Sequence, residues 1–283
     1  MQAIGLHNSI AGGIFNAPLN AAAYKTDTFQ MFTRSPRGGK ASALTPAVIT
    51  QFTDNCKQSG LIRYYVHAPY YINFASSNNR IRYGSVSVVR EELERSSLLG
   101  VRALMTHLGS AKDLDEKTAR TKVVEGLVKM LDGYRGNTQF LIELAAGAGL
   151  ILGASFEEIS QYIQQAEKKL PALKNKIGVC LDTCHAFALG YDLRTASAVR
   201  KTLSAFDATI GLQRLQLIHA NDSKTELGSH RDRHEHIGEG KIGAAGFAAL
   251  LRHPKLKNVD VILETHHDGK EKNDVALLKS FAN

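Results

Sequence analysis

Apolar positions along this chain recur in two alternating rhythms. Short β-branched or apolar runs stand at 3–7 (AIGLH), 28–32 (TFQMF), 63–67 (RYYVH), 102–107 (RALMTH), 138–143 (TQFLIE), 177–182 (IGVCLD), 214–219 (RLQLIH) and 259–264 (VDVILE), each the length of one strand. Between them lie longer stretches with helical spacing. Thr45-Pro46 opens one that Gly60 stops, and Ser155 to Glu158 has the capping-box spacing that starts another, with Phe156, Ile159, Ile163, Ala166 and Leu170 on one face. No Pro/Ser linker, low-complexity tract or composition break interrupts the alternation. Near-continuous apolar strands suit a parallel sheet covered by helices. The pattern predicts a single (β/α)₈ TIM barrel over residues 1–283, with its chemistry at the C-terminal ends of the strands.

The last residue of each run changes the picture. His7, His67, His107, Glu143, Asp182, His219 and Glu264 end seven of the eight, and only Phe32 offers no ligand or acid. In a parallel barrel these ends open onto one mouth. Helix capping favours Ser, Thr, Asn and Asp, so it does not account for a set rich in His and Glu. Two further groups extend the set: His185, three residues beyond Asp182, and Asp232 with His234 in the loop after His219. Imidazole and carboxylate without thiolate suit zinc or manganese at an open catalytic site, whereas structural zinc usually recruits Cys. Cys180 shares the parity of Asp182 one layer deeper and is expected in the core; Cys184 is expected to be a small wall residue. Glu143, Asp182, Asp232 and Glu264 bring four negative charges to one mouth, where bare carboxylates raise one another's pKa. Three divalent ions turn that −4 into about +2, a receptor for a phosphate group.

Composition narrows the class. A chain of 283 residues, 43% hydrophobic, is neither disordered nor a small scaffold that needs staples. No apolar run approaches the ~20 residues of a membrane helix, and the strand-like pattern that starts within MQAIGLH leaves no room for a signal peptide, so a soluble intracellular protein is expected; a monomer is the separate expectation for its assembly. Cys56, Cys180 and Cys184 show no C-x-x-C spacing, which suits a reducing compartment. The 35 Lys and Arg against 27 Asp and Glu give +8, which favours a polyanionic partner.

The segments GVCLDTCHAFALGYDL (178–193), IHANDSK (218–224), DRHEHIGEGKIG (232–243), ILET (262–265) and LHNSIAGG (6–13) resemble the endonuclease IV family of apurinic/apyrimidinic endonucleases, over essentially the whole chain. The resemblance implies a (β/α)₈ barrel with three zinc ions, manganese being admissible at one position. It implies cleavage of the phosphodiester 5′ to an abasic deoxyribose in double-stranded DNA, leaving a 3′-hydroxyl, and repair of blocked 3′-ends. Carried over by position, His67, His107 and Glu143 hold one zinc; Glu143 bridges to a second completed by Asp182, His219 and Glu264; His185, Asp232 and His234 hold the third. Glu143 and Glu264 are then catalytic as ligands of the paired zincs, where water is activated. Arg37, Tyr70 and Tyr71 fall where the family carries side chains that enter the base stack, ordinary rim aromatics being the alternative for the tyrosines; the family more often shows Leu at position 71. His7 lies outside the zinc set and is expected to orient a ligand or phosphate or to be structural.

Two departures stand out. After Glu143 the family reads N-T-A-G-Q-G where this chain has Leu144-Ala145-Ala146-Gly147-Ala148-Gly149, and its H-P-G-S-H appears as His107-Leu108-Gly109-Ser110-Ala111. Both remove polar support expected around Glu143 and His107. Arg34, Lys40, Lys224 and Arg231 are loop cations able to meet phosphates or simply to stay solvated, and none is assigned; His230, His236, His253, His266 and His267 receive no role. The rival reading is a metal-dependent sugar isomerase or epimerase on the same barrel, which needs about four protein ligands and no stack-entering loop.

Overall fold

The computed structural model describes residues 2–61, 63–266 and 268–282. His267 lies outside them. In chain order the elements are β1 (Ile4–His7), α1 (Asn16–Ala23), β2 (Thr28–Met31), α2 (Pro46–Gln58), β3 (Tyr64–His67), α3 (Asn79–Leu98), β4 (Ala103–Thr106), α4 (Glu116–Leu131), β5 (Gln139–Glu143), α5 (Phe156–Lys169), β6 (Ile177–Asp182), α6 (Thr183–Ala188), α7 (Ala196–Thr209), β7 (Leu215–His219), β8 (Asp222–Ser223), β9 (His234–Glu235), α8 (Gly243–Leu251), β10 (Asp260–Leu263) and α9 (Glu271–Ala282). Eight parallel strands close in the order β1-β10-β7-β6-β5-β4-β3-β2, which is a TIM barrel. The two short strands β8 and β9 form a separate antiparallel pair at the mouth. Among the described residues no helix is long and apolar enough to cross a membrane.

Strand periodicity explains how the barrel is filled. Ile4, Leu6, Phe29, Met31, Tyr64, Val66, Leu104, Phe140, Ile142, Val179, Leu181, Ile218, Val261 and Leu263 join the layer between strands and helices. Their neighbours of opposite parity, Tyr65, Ala103, Met105, Leu141, Cys180, Leu217 and Ile262, fill the barrel itself. One layer higher the inward parity reaches the polar strand ends. Gly5 keeps the barrel narrow: a Cβ there would lie 2.6 Å from the Thr28 carbonyl oxygen of the next strand. At the lower end the buried Asp260 accepts from the Tyr65 hydroxyl at 2.7 Å and the Ala3 amide at 3.0 Å and pairs with Arg63 at 2.8 Å.

Helix starts obey the sequence signals with one refinement. Thr45 caps α2 and Ser155 caps α5, accepting from the Glu158 amide at 3.1 Å. The Glu158 carboxylate, however, reaches past the cap to the Gly153 and Ala154 amides at 3.0 and 2.8 Å. Leu170, expected on the apolar face of α5, is its C-cap. His107, Glu264 and Phe32 each stand one residue beyond their strand as hydrogen bonding defines it, which leaves them at the mouth all the same.

Candidate metal centre

All nine expected donors meet at the C-terminal mouth. His67, His107 and Glu143 form one group whose donor atoms lie within 4.8 Å of one another, and Glu143, Asp182, His219 and Glu264 form a second that shares Glu143. Asp232 lies between His185 (3.2 Å) and His234 (3.1 Å). The donor geometry there is wider than the sequence implies, because Asp182 also lies within reach of His185 and His234, and Cys184 within reach of Asp232 and His234. Burial pushes the Cys184 thiol up to about 12, with the charge of Asp182 acting in the same direction. Asp182 has a second duty: its Oδ1 accepts the His185 amide at 2.8 Å and so caps α6, which points the helix and its imidazole at the mouth.

The orientation of the imidazoles follows from what surrounds them. A carbonyl oxygen only accepts, so the proton of His67 sits on Nδ1, 2.6 Å from the Ala68 oxygen, and that of His185 on Nδ1, 2.8 Å from the Leu144 oxygen. Gln30 settles His219. Its Nε2 donates to the Glu264 carboxylate at 2.6 Å, which fixes the amide; its Oε1 then accepts from His219 Nε2 at 2.8 Å. His234 Nδ1 faces the Glu264 carbonyl oxygen at 3.3 Å. Each of these four rings therefore turns its other nitrogen inward: His67 to Glu143 at 2.8 Å, His219 to Glu143 and Glu264 at 3.0 and 3.1 Å, and His185 and His234 to Asp232. His67 and His219 meet Glu143 in hydrogen-bond geometry, whereas the inward nitrogens of His185 and His234 are buried beside Asp232 with no hydrogen-bond partner among the described residues; either arrangement calls for a proton or a cation between the groups. Protons alone give the paired state: burial works against charge on His185 and His234, yet their carboxylate partners, Asp182 and Asp232 foremost, lift them to about 10 and about 9. Burial likewise pushes Glu143 up, but His107, His219 and His67 together hold it well below the usual carboxylate range.

The two departures have distinct outcomes. The Leu144 loop loses polar side chains but supports the site through its backbone: the Leu144 carbonyl orients His185, and the Leu144 amide donates to the Cys180 carbonyl at 3.1 Å. At Ala111, by contrast, the small side chain packs in the core, and His107 Nδ1 is buried with no hydrogen-bond partner among the described residues. Among these five imidazoles, His107 is the one whose tautomer no neighbour sets.

Sequence reasoning missed several supporting residues. Gln30 reads as one polar residue inside an apolar strand. Asn221, within the IHANDSK match but given no role, donates to Asp182 at 2.6 Å and accepts the Glu264 amide at 2.9 Å. Phe32, the strand end without a donor, lies 4.5 Å from His7, 5.9 Å from His67 and 5.3 Å from Tyr70 between ring centres. His7 Nδ1 lies 2.9 Å from Gln30 Nε2 and so accepts. The Arg34 expectation is corrected: this side chain is buried and ion-paired to Glu92 at 2.6 Å, out of reach of a phosphate. His236 is a clamp, held between Asp274 at 2.7 Å and Asp268 at 3.1 Å.

Above the donors opens a cleft of about 810 Å³, whose walls include Arg37 and Tyr70. Tyr70 is 71% exposed, and its amide donates to the Pro36 carbonyl. Tyr71 is exposed on the rim, outside that lining. A model of the xylose isomerase-like TIM barrel family matches residues 19–281, which defines the class. Within it the chain is 40% identical to a probable endonuclease 4 of Chlorobium phaeobacteroides, over 99% of this chain and 98% of that one. The crystal structure of endonuclease IV from Thermus thermophilus superposes with a TM-score of 0.87 at 34% identity, covering 99% and 98% of the two chains. The chain belongs to the endonuclease IV family. A D-tagatose 3-epimerase-like protein, at 21% identity and a TM-score of 0.73 over 99% of this chain and 97% of that one, shares the fold.

Proposed function

We propose that this chain is a zinc-dependent endonuclease of DNA repair that hydrolyses the phosphodiester 5′ to an abasic site, leaves a 3′-hydroxyl and also clears blocked 3′-ends. The observation that carries the reading is the convergence of inward imidazole nitrogens on Glu143, Glu264 and Asp232, the outer nitrogens of His67, His185, His219 and His234 being engaged by acceptors. That is how metal-ligating histidines are held. The first two donor groups suit zinc as the sequence divides them, and His185, Asp232 and His234 would hold a third ion with Asp182 also in reach, manganese being admissible at one position. Bound there, zinc lowers the pKa of water from ~15.7 towards ~7 and draws off charge from a phosphate.

The chain's own residues do the rest. Gln30, Asn221 and the Leu144 carbonyl keep His219, Asp182 and His185 in register, so ligand geometry is set before substrate arrives. Tyr70, propped on Phe32, and Arg37, which also lines the cleft, are suited to hold a duplex opened at the lesion, with Tyr71 on the rim. A base-less nucleotide gives up less stacking on rotating out, which favours an abasic site over intact DNA. Nine donors exceed the roughly four that a sugar isomerase or epimerase needs. The enzyme is read as an intracellular monomer on DNA. The test is a duplex carrying one abasic analogue, incubated with and without chelator. Incision 5′ to the analogue with a 3′-hydroxyl end, lost with chelator and restored by zinc, is expected; no incision, or incision indifferent to chelator, overturns the reading.

A further inference from the structure

The segment 32–45 joins β2 to α2 without a helix or strand of its own, yet it carries Pro36 and Arg37 to the wall of the cleft. A loop of this length needs an anchor. It has one beneath it, on α3, where Glu92 is fully buried. One Glu92 oxygen receives the Thr33 hydroxyl and the other the Arg34 guanidinium at 2.6 Å. Arg34 continues to Glu91 at 2.8 Å. Arg95, one turn along α3 and also buried, donates to the Thr33 hydroxyl and carbonyl at 3.2 and 2.9 Å and to the Ser42 carbonyl at 2.9 Å. Both ends of the segment are thus tied to one helix, and Glu92 is the buried anion that makes the arrangement tolerable. Without it two buried guanidiniums, Arg34 and Arg95, face one another with only the half-exposed Glu91 to compensate.

We infer that Glu92 is a positioning residue for the DNA-facing loop, acting through Arg34 and Thr33 to hold Arg37 at the cleft. The inference rests on the DNA reading above. Glu92 touches none of the nine donors, so its loss is expected at the level of substrate binding and not of metal or chemistry. It also explains why Arg34, a cation three residues from Arg37, is withdrawn from the surface: its charge is used to anchor the loop that carries the other one.

Three measurements test this. The unmodified enzyme is first titrated with abasic duplex; failure to bind overturns the DNA reading before any variant is made. Hydrogen exchange of the free protein then compares Glu92→Gln with the parent: protection lost at 33–42 and kept in β5 to β7 is expected, while unchanged protection at 33–42 overturns the inference. Finally, Glu92→Gln is expected to weaken abasic-duplex binding at least ten-fold, with bound zinc unchanged and kcat within about three-fold of the parent. The same change made in Arg37→Ala is expected to cost less than three-fold, because the loop's contact is already gone. A merely structural glutamate would lower zinc content and kcat along with binding, or cost the same in both backgrounds, and either result overturns the inference. Should Glu92→Gln fold poorly, Thr33→Val removes one strut and keeps both charges, and the same cycle with Arg37→Ala decides.

Discussion

Gln30 shows how far a metal ligand depends on a neighbour that is not one. One amide group fixes the proton of His219, meets a Glu264 oxygen and abuts His7. Removing it leaves two rings and a carboxylate free to rotate. Gln30→Ala is therefore expected to lower zinc affinity by about 10- to 100-fold, read by competition with a chromophoric chelator; an unchanged affinity would show that packing alone orients His219. Glu264→Gln is the sharper chemical test. The amide is nearly isosteric, so the fold should persist by circular dichroism while incision falls on the order of 10²-fold or more. Near-normal turnover removes Glu264 from the site. The donors themselves were legible because strand parity forces chemistry to the strand ends. Gln30 and Asn221 were not, since a buried amide in an apolar run has the same pattern whether it orients a ligand or satisfies a backbone group. The burial of Arg34 is illegible for a related reason: nothing local tells a loop cation that its counter-ion waits on a helix more than fifty residues on.

At the scale of elements, the loop that carries Asp232 and His234 has only the short β8–β9 pair to organise it, and its order has a further source. Asp222 in β8 is buried, and its carboxylate accepts the amides of Ser223, Gly238, Gly240, Ile242 and Gly243 at 2.8–3.4 Å. The chain wraps so closely that a Cβ at Gly240 would lie 2.5 Å from Asp222 Oδ1. From the other side, Asp274 in α9 takes the Ile237 amide, the Thr265 hydroxyl and His236. Asp222→Ala leaves those amides to water or to nothing and is expected to cost about 3 kcal/mol, lowering Tm on the order of 5–10 °C. Because the damage is confined to this loop, bound zinc should fall by one with the paired site occupied, as it should in His234→Ala, where no loss of Tm of that size is expected. Metal analysis that finds three ions in both variants contradicts the assignment. The long strands and capped helices were readable because their signals are local. Strands of two residues, such as β8 and β9, have no period to read, and the I-G-E-G-K-I-G run makes sense only once the carboxylate it encircles is known.

For the whole molecule, the two-layered core accounts for the cysteines. Cys56 is 2% exposed between helices and barrel, Cys180 and Cys184 are fully buried, and burial pushes the Cys56 thiol up to about 12. A thiolate-specific reagent at pH 8 is thus expected to modify none of the three in the native protein and all three in denaturant. Rapid labelling of even one native thiol would reveal an opening of the barrel wall that the packing does not permit.

Barrel closure joins Ile4 to Val261. During synthesis at ~5–20 residues per second, roughly 13–50 s separate the appearance of these two residues. For that interval β1 has its partner on one side and a bare edge on the other, and Glu264 is not yet made. No shortened form that stops before β10 can carry either a sealed sheet or a complete set of donors. A ribosome stalled ahead of that point holds a chain with an open seam, which chaperones rather than metal must protect.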